Sequence, residues 1–180
     1  MKHINNYILE ALHLNKDSGK TKYTCQPKNK IELQNIIKER LTKNKDTDLN
    51  DIDVSEITDM EYLFCTLDPH NIDISKWDVF NVTNMDDMFR NCKNFNSDLS
   101  KWDVSNVKNM YGMFFNCKNL NCDLSKWDVS NVEDVRCMFN RCENFNSDLS
   151  KCDVSNVKDM DGMFSGCNSL KNKPNWYKKN

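Results

Sequence analysis

The chain has 180 residues, of which 38% are hydrophobic and 29% charged, and its net charge is -2. That length gives one domain, or one domain with a small appendage, and the near balance of charge offers nothing to draw nucleic acid or an anionic membrane. No stretch reaches the ~18 apolar residues of a membrane span, and no secretory leader or lipid-attachment cysteine is visible near Met1, so the expectation is a cytoplasmic protein.

Residues 1–48 read as an N-terminal helical cap region. Ile4, Ile8, Leu9 and Leu12 form one helical stripe, which predicts an amphipathic helix over Ile4–Leu14, broken at Asn15–Gly19. Lys22–Gln26 could be a short strand, ended by Pro27. A second helix comes next, with Asn29 as N-cap, Glu32 three residues on, and Leu33, Ile36, Ile37 and Leu41 as its buried face. Lys43–Thr47 is a polar linker. Two helices are too few to bury a core alone, so they are expected to pack on the segment beginning at Leu49.

From Leu49 onward the sequence repeats every 25 residues. Trp77, Trp102 and Trp127 are each preceded by Ser-Lys and followed by Asp-Val, and Cys152 takes the same slot one period later. Val82, Val107, Val132 and Val157 keep this register, as do Phe89, Phe114, Phe139 and Phe164, and Cys92, Cys117, Cys142 and Cys167. Such a period, without insertions, marks a stacked solenoid. The solenoid is expected over 49–170, about five coils, with 171–180 a C-terminal cap or tail. Within a coil, Val107, Met110, Met113, Phe114 and Cys117 fall on one helical face, with Ser105 or Asn106 as N-cap and Ser130 and Glu133 as a capping box in the next coil. Leu124, Trp127 and Val129 then mark a short extended segment over Asp123–Val129. The expected fold is therefore α/β: a solenoid of helix–turn–short-strand coils, with a parallel sheet on one face at ~4.8 Å per strand. Asp and Lys columns alternate along it and read as exposed charge ladders that serve solubility more than stability.

The unit Val-Xaa2-Met-Xaa2-Met-Phe-Xaa2-Cys-Xaa2-(Phe/Leu)-Asn-Xaa-Asp-Leu-Ser-Lys-Trp-Asp-Val-Ser-Asn resembles the repeat of BspA-type leucine-rich-repeat proteins, in the 25-residue version also found in mycoplasma-type surface lipoproteins. The likeness covers roughly Leu49 to Leu170. It implies a leucine-rich-repeat-like solenoid used for protein contacts or adhesion, and it carries over no catalytic set.

The nine cysteines read as reduced, mostly core thiols, since identical side chains in a stack point the same way and not at each other. Cys117-Xaa4-Cys122 and Cys137-Xaa4-Cys142 lack the four converging ligands of a zinc site, and Asp46-Xaa-Asp48-Xaa-Asn50-Asp51 lacks the glycine and glutamate of a calcium loop. No metal, cofactor or catalytic residue is assigned; Cys25 and His13 are the single conceivable thiol–imidazole pair, and nothing orders them together. The Trp column reads as core packing.

The expected function is a non-enzymatic protein–protein interaction module, monomeric, using the solenoid surface as a scaffold. A cell-surface adhesin or antigen of the BspA type is the alternative, with the cell surface as its location. Candidate partner-binding residues are Lys101, Asp103, Lys126 and Asp128 on the strand face. To these are added Phe80, Tyr111, Phe115, Arg136 and Arg141, which break their columns and so give a partner something specific to read.

Overall fold

A computed structural model describes residues 23–177. The helix expected over Ile4–Leu14, and with it His13, lies outside the described residues. Helix α1 (Lys30–Lys43) forms as the sequence anticipates. Asn29 Oδ1 accepts from the Glu32 N–H at 3.0 Å, while Glu32 Oε2 reaches back to accept from the Lys28 N–H at 2.9 Å. Arg40 and Lys43 stand in the last turn, where cations suit the dipole. Leu33, Ile37 and Leu41 are buried against the first coil, and Lys30 holds Asp59 and Glu61 of that coil at 2.5 and 3.2 Å. The expected strand before Pro27 is reduced to one bridge, Cys25 to Ile52.

The α/β expectation fails in the coils. Among the described residues α1 is the single helix, and strand pairing amounts to isolated parallel bridges: Cys25–Ile52, Asp48–Asp73, and a line running Asp59–Asn84–Asn109–Asp134–Asp159. There is no parallel sheet among the described residues, and the chain is not a leucine-rich-repeat-like solenoid of helix–turn–strand units. The cause lies in where alternate N–H groups go. Met110, Gly112, Phe114 and Asn116 donate to the carbonyls of Asp134, Arg136, Met138 and Asn140, each 24 residues ahead. The residues between them close short turns instead: Met113 donates to Met110 O, Phe115 to Gly112 O and Cys117 to Phe114 O. An α-helix needs every N–H for its own i−4 carbonyl; here half of them are committed to the neighbouring coil.

This ribbon requires left-handed backbone at two places per coil. Tyr62, Asp87, Gly112, Cys137 and Gly162 all have positive φ, and so do Thr66, Asn91, Asn116, Arg141 and Gly166; outside these two columns Asp68 adds one more in the first coil. Each residue of the two columns sits at the third position of its own turn closed by an i→i+3 bond, the place where such a turn takes φ above zero.

The expected extended segment is likewise a run of turns. Trp127 donates its main-chain N–H to Leu124 O and Val132 donates to Val129 O. The Asp columns make these turns. Asp98 Oδ1 accepts from the Ser100 N–H, Asp103 from Ser105, Asp123 from Ser125 and Asp128 from Ser130. They are local turn-formers first and solvent charges second. Asn106, expected as a helix cap, donates its amide to Phe80 O of the coil before, as Asn131 does to Ser105 O.

Coil rests on coil through three buried ladders. Phe rings stack from Phe64 through Phe89, Phe114, Phe139 and Phe164, with centroids 5.1, 5.6, 5.7 and 5.8 Å apart. Each indole donates to the carbonyl 28 residues back: Trp77 to Leu49, Trp102 to Ile74 and Trp127 to Leu99, at 2.9–3.0 Å. The thiols of Cys92, Cys117 and Cys142 do the same toward Phe64, Phe89 and Phe114. Cys152 is too short to fill the indole slot, and an apolar cavity of about 30 Å³ remains beside it. Beyond the last coil, Trp176 resumes the ladder by donating to Leu149 O, and Tyr177 sets its ring edge-on to Phe164.

Candidate functional site

The ribbon carries three columns in which the repeats disagree. Directly after the Met60 column stand Glu61, Asp86, Tyr111, Arg136 and Asp161; next come Tyr62, Asp87, Gly112, Cys137 and Gly162; and after each core Phe come Cys65, Arg90, Phe115, Asn140 and Ser165. Between them Leu63, Met88, Met113, Met138 and the Phe ladder face inward and are buried. The inward positions are fixed by packing against their copies; of the intervening ones Asp87 and Gly112 are buried as well, while Glu61, Asp86, Tyr111, Arg136 and Asp161, with Arg90 and Phe115, reach the surface along one strip.

Four of the candidates meet on this strip. The Arg136 guanidinium lies 5.1 Å from the Tyr111 ring centroid, and Arg141 lies 5.9 Å from that of Phe115. The structure adds a third cation, Arg90, at 4.3 Å from the same Phe115 ring. The chain has four arginines, and three of them stand over these two rings. Arg90 is held by Asp87 through Nη1, 3.0 and 3.2 Å from the two carboxylate oxygens. Asp87 is almost wholly buried, which pushes its carboxyl above the usual range while the guanidinium pulls the other way. Space for that pair comes from Gly112: a Cβ there would collide with Asp87 Oδ1. Arg136 is aimed by Asp134, at 2.6 Å from Nη2.

Asp86 stands beside them without a cation. Its Oδ1 is buried and accepts no hydrogen bond among the described residues. Burial first, then Asp87 and Glu61, push its carboxyl up to about 6 against the pull of the Asn109 amide. The sequence reading missed Asp86, Asp87 and Arg90, although Asp87 in a column holding two glycines and Arg90 beside Phe115 break their columns as clearly as the residues chosen.

The other candidates lie in the second half of the coil path. Lys101 and Lys126 are exposed. Asp103 accepts from the N–H and hydroxyl of Ser105. In Asp128 the hydroxyl and N–H of Ser130 hold the carboxyl below the usual range. Phe80 is 48% exposed in the slot that Ser105 and Ser130 fill in later coils.

Among the described residues no group of three His, Cys, Asp or Glu is placed to hold a metal, and all nine thiols are free. Cys117 and Cys142 are fully buried; burial pushes the half-buried Cys122 up to about 12. No helix among the described residues is long and apolar enough to cross a membrane. The indole column is buried, with Trp102 4% exposed, so it presents no stacking platform.

Neither the curated proteins nor the solved structures contain a match to this chain. A family model described as "Mycoplasma protein of unknown function, DUF285" matches residues 31–133 and again 100–180. The two overlapping matches are what an internally repeated sequence gives, and together they span most of the chain, which belongs to this DUF285 family.

Proposed function

We propose that the protein is a non-enzymatic protein-binding module whose partner reads the ribbon strip centred on Tyr111, Phe115, Arg136 and Arg141. The observation that carries this reading is the placement of variation. Columns such as Thr83, Lys108 and Glu133 vary elsewhere on this surface of copies, but on the strip the side chain changes chemical type from coil to coil, and there three arginines gather on two aromatic rings. Arginine and large aromatic side chains dominate binding hot spots because they bury much area with few rotatable bonds and still make directed polar contacts. The Asp87–Arg90 pair and the gap at Gly112 fix the platform before a partner arrives, so little ordering entropy remains to be lost.

The nine unpaired thiols suit a reducing compartment, and our reading puts the protein in the cytoplasm as a monomer. The cell-surface reading is separated from this by labelling intact cells with a membrane-impermeant thiol reagent.

Affinity capture from the source cells tests the module. Tyr111→Ala with Arg136→Ala should abolish recovery of the specific partner, while Lys101→Ala with Lys126→Ala should leave it within twofold. The reverse pattern would move the interface to the second half of the coil.

A further inference from the structure

Charge pairing along the strip is nearly complete: among the described residues, apart from the exposed Asp161 of the fifth coil, two groups lack an ion partner, and they have opposite signs. Asp59 and Glu61 share Lys30, Asp87 holds Arg90, and Asp134 holds Arg136. Asp86, in the second coil, has no cation although its Oδ1 is buried and unbonded, and Glu61, Asp87 and Asp134 all stand near it. Arg141, in the fourth coil, makes no ion pair among the described residues; its guanidinium rests instead against the face of the Phe115 ring. Between the two gaps lie the third coil's Tyr111 and Phe115.

The spacing is fixed by the stack. Main-chain bonds join the strip from coil to coil (Asp87 N–H to Tyr111 O, Gly112 N–H to Arg136 O), and chains so paired lie ~4.8 Å apart, so two coils rise ~10 Å. Arg141 also stands five positions further along its coil than Arg136, the residue in Asp86's column, which adds a lateral step. An extended chain rises ~3.3 Å per residue and returns to the same face every second residue, so side chains four apart lie ~13 Å apart on one face.

Resting on the reading of the strip as the binding face, we infer that the partner docks as an extended peptide segment lying along the stack. It puts a lysine or arginine on Asp86, a glutamate or aspartate four residues away on Arg141, and an apolar side chain midway between them on Tyr111 and Phe115. A cation at Asp86 supplies the missing counter-charge, and a carboxylate on Arg141 makes the paired contacts a guanidinium fork is shaped for. The aromatic pair covers the apolar residue and lowers the local dielectric around both ion pairs.

Fluorescence anisotropy with three labelled pentapeptides, Lys-Thr-Leu-Thr-Glu, Lys-Thr-Leu-Thr-Lys and Glu-Thr-Leu-Thr-Glu, tests this on the full chain at low salt. The mixed-charge peptide should bind at least tenfold tighter than either control. Asp86→Asn, a change of nearly equal volume, should erase its advantage over the all-glutamate peptide, and Arg141→Gln its advantage over the all-lysine peptide. Arg141→Glu should transfer the preference to the all-lysine peptide. Equal binding of the three, binding of none at millimolar concentration, or a preference untouched by Asp86→Asn would overturn the inference. Partner capture that is lost in Tyr111→Ala but kept in both Asp86→Asn and Arg141→Gln would overturn it too, while leaving the strip as the interface.

Discussion

Asp86 shows what a buried carboxyl without a counter-charge does to the fold. Its carboxyl is pushed from an ordinary 3.8 to about 6, chiefly because burial disfavours the charged form. A folded-state value above the unfolded one means the native state binds the proton more tightly. This group therefore costs stability above pH 6, and the cost is relieved as pH falls toward 4. Asp86→Asn should be more stable than the parent to urea at pH 7.5, with the difference vanishing near pH 4; an unchanged midpoint at pH 7.5 would show that the carboxylate finds a partner in solution. Cys137 gives a second test at this scale. Its φ of 55° falls in a column where Gly112 and Gly162 adopt the same conformation freely, and holding a non-glycine residue there costs about 1 kcal/mol. Cys137→Gly should raise the urea midpoint by a matching amount, whereas Gly112→Ala should lower it by more, since it adds a collision with Asp87 to the strain.

At the scale of elements, the sequence revealed α1 almost entirely. Asn29, Glu32 and the Leu33–Ile37–Leu41 stripe are local signals, and a helix is a local structure. The coil was legible in its register but not in its backbone. Met110, Met113, Phe114 and Cys117 occupy spacings that fit a helical face, yet a ribbon of successive turns buries the same four residues. What separates the two is the destination of alternate N–H groups, a contact 24 residues away that no local pattern encodes. The signal that was present, positive φ, is written as glycine at Gly112, Gly162 and Gly166, but Tyr62, Thr66 and Arg141 adopt it without advertising it. The strip was half legible for a related reason: Tyr111, Phe115, Arg136 and Arg141 stood out by breaking columns, while their convergence depended on a backbone the pattern misrepresented. The indole ladder belongs to this scale as well. Trp102→Phe keeps most of the ring stacking but removes the donor to Ile74 O and leaves space behind. It should cost about 2 kcal/mol from one lost hydrogen bond and a partly refilled cavity, read as a lowered denaturant midpoint; no change would mean that water satisfies the Ile74 carbonyl equally well.

For the whole molecule, stability is a sum of contacts between neighbouring coils, closed at one end by α1 and met at the other by Trp176 and Tyr177. Such a stack keeps its outer strip free to vary, because no strip residue is needed for the Phe, Trp and Cys ladders beneath. On the proposed reading, the side chains a partner meets are not those of the three ladders. The central claim is that alternate N–H groups of each coil are bonded to the next coil and not to their own. Scalar couplings across hydrogen bonds, measured by NMR on labelled protein, test it most directly. The account predicts couplings from the amide nitrogens of Gly112 and Phe114 to the carbonyl carbons of Arg136 and Met138; couplings from Phe114 to Met110, four residues back, would contradict it.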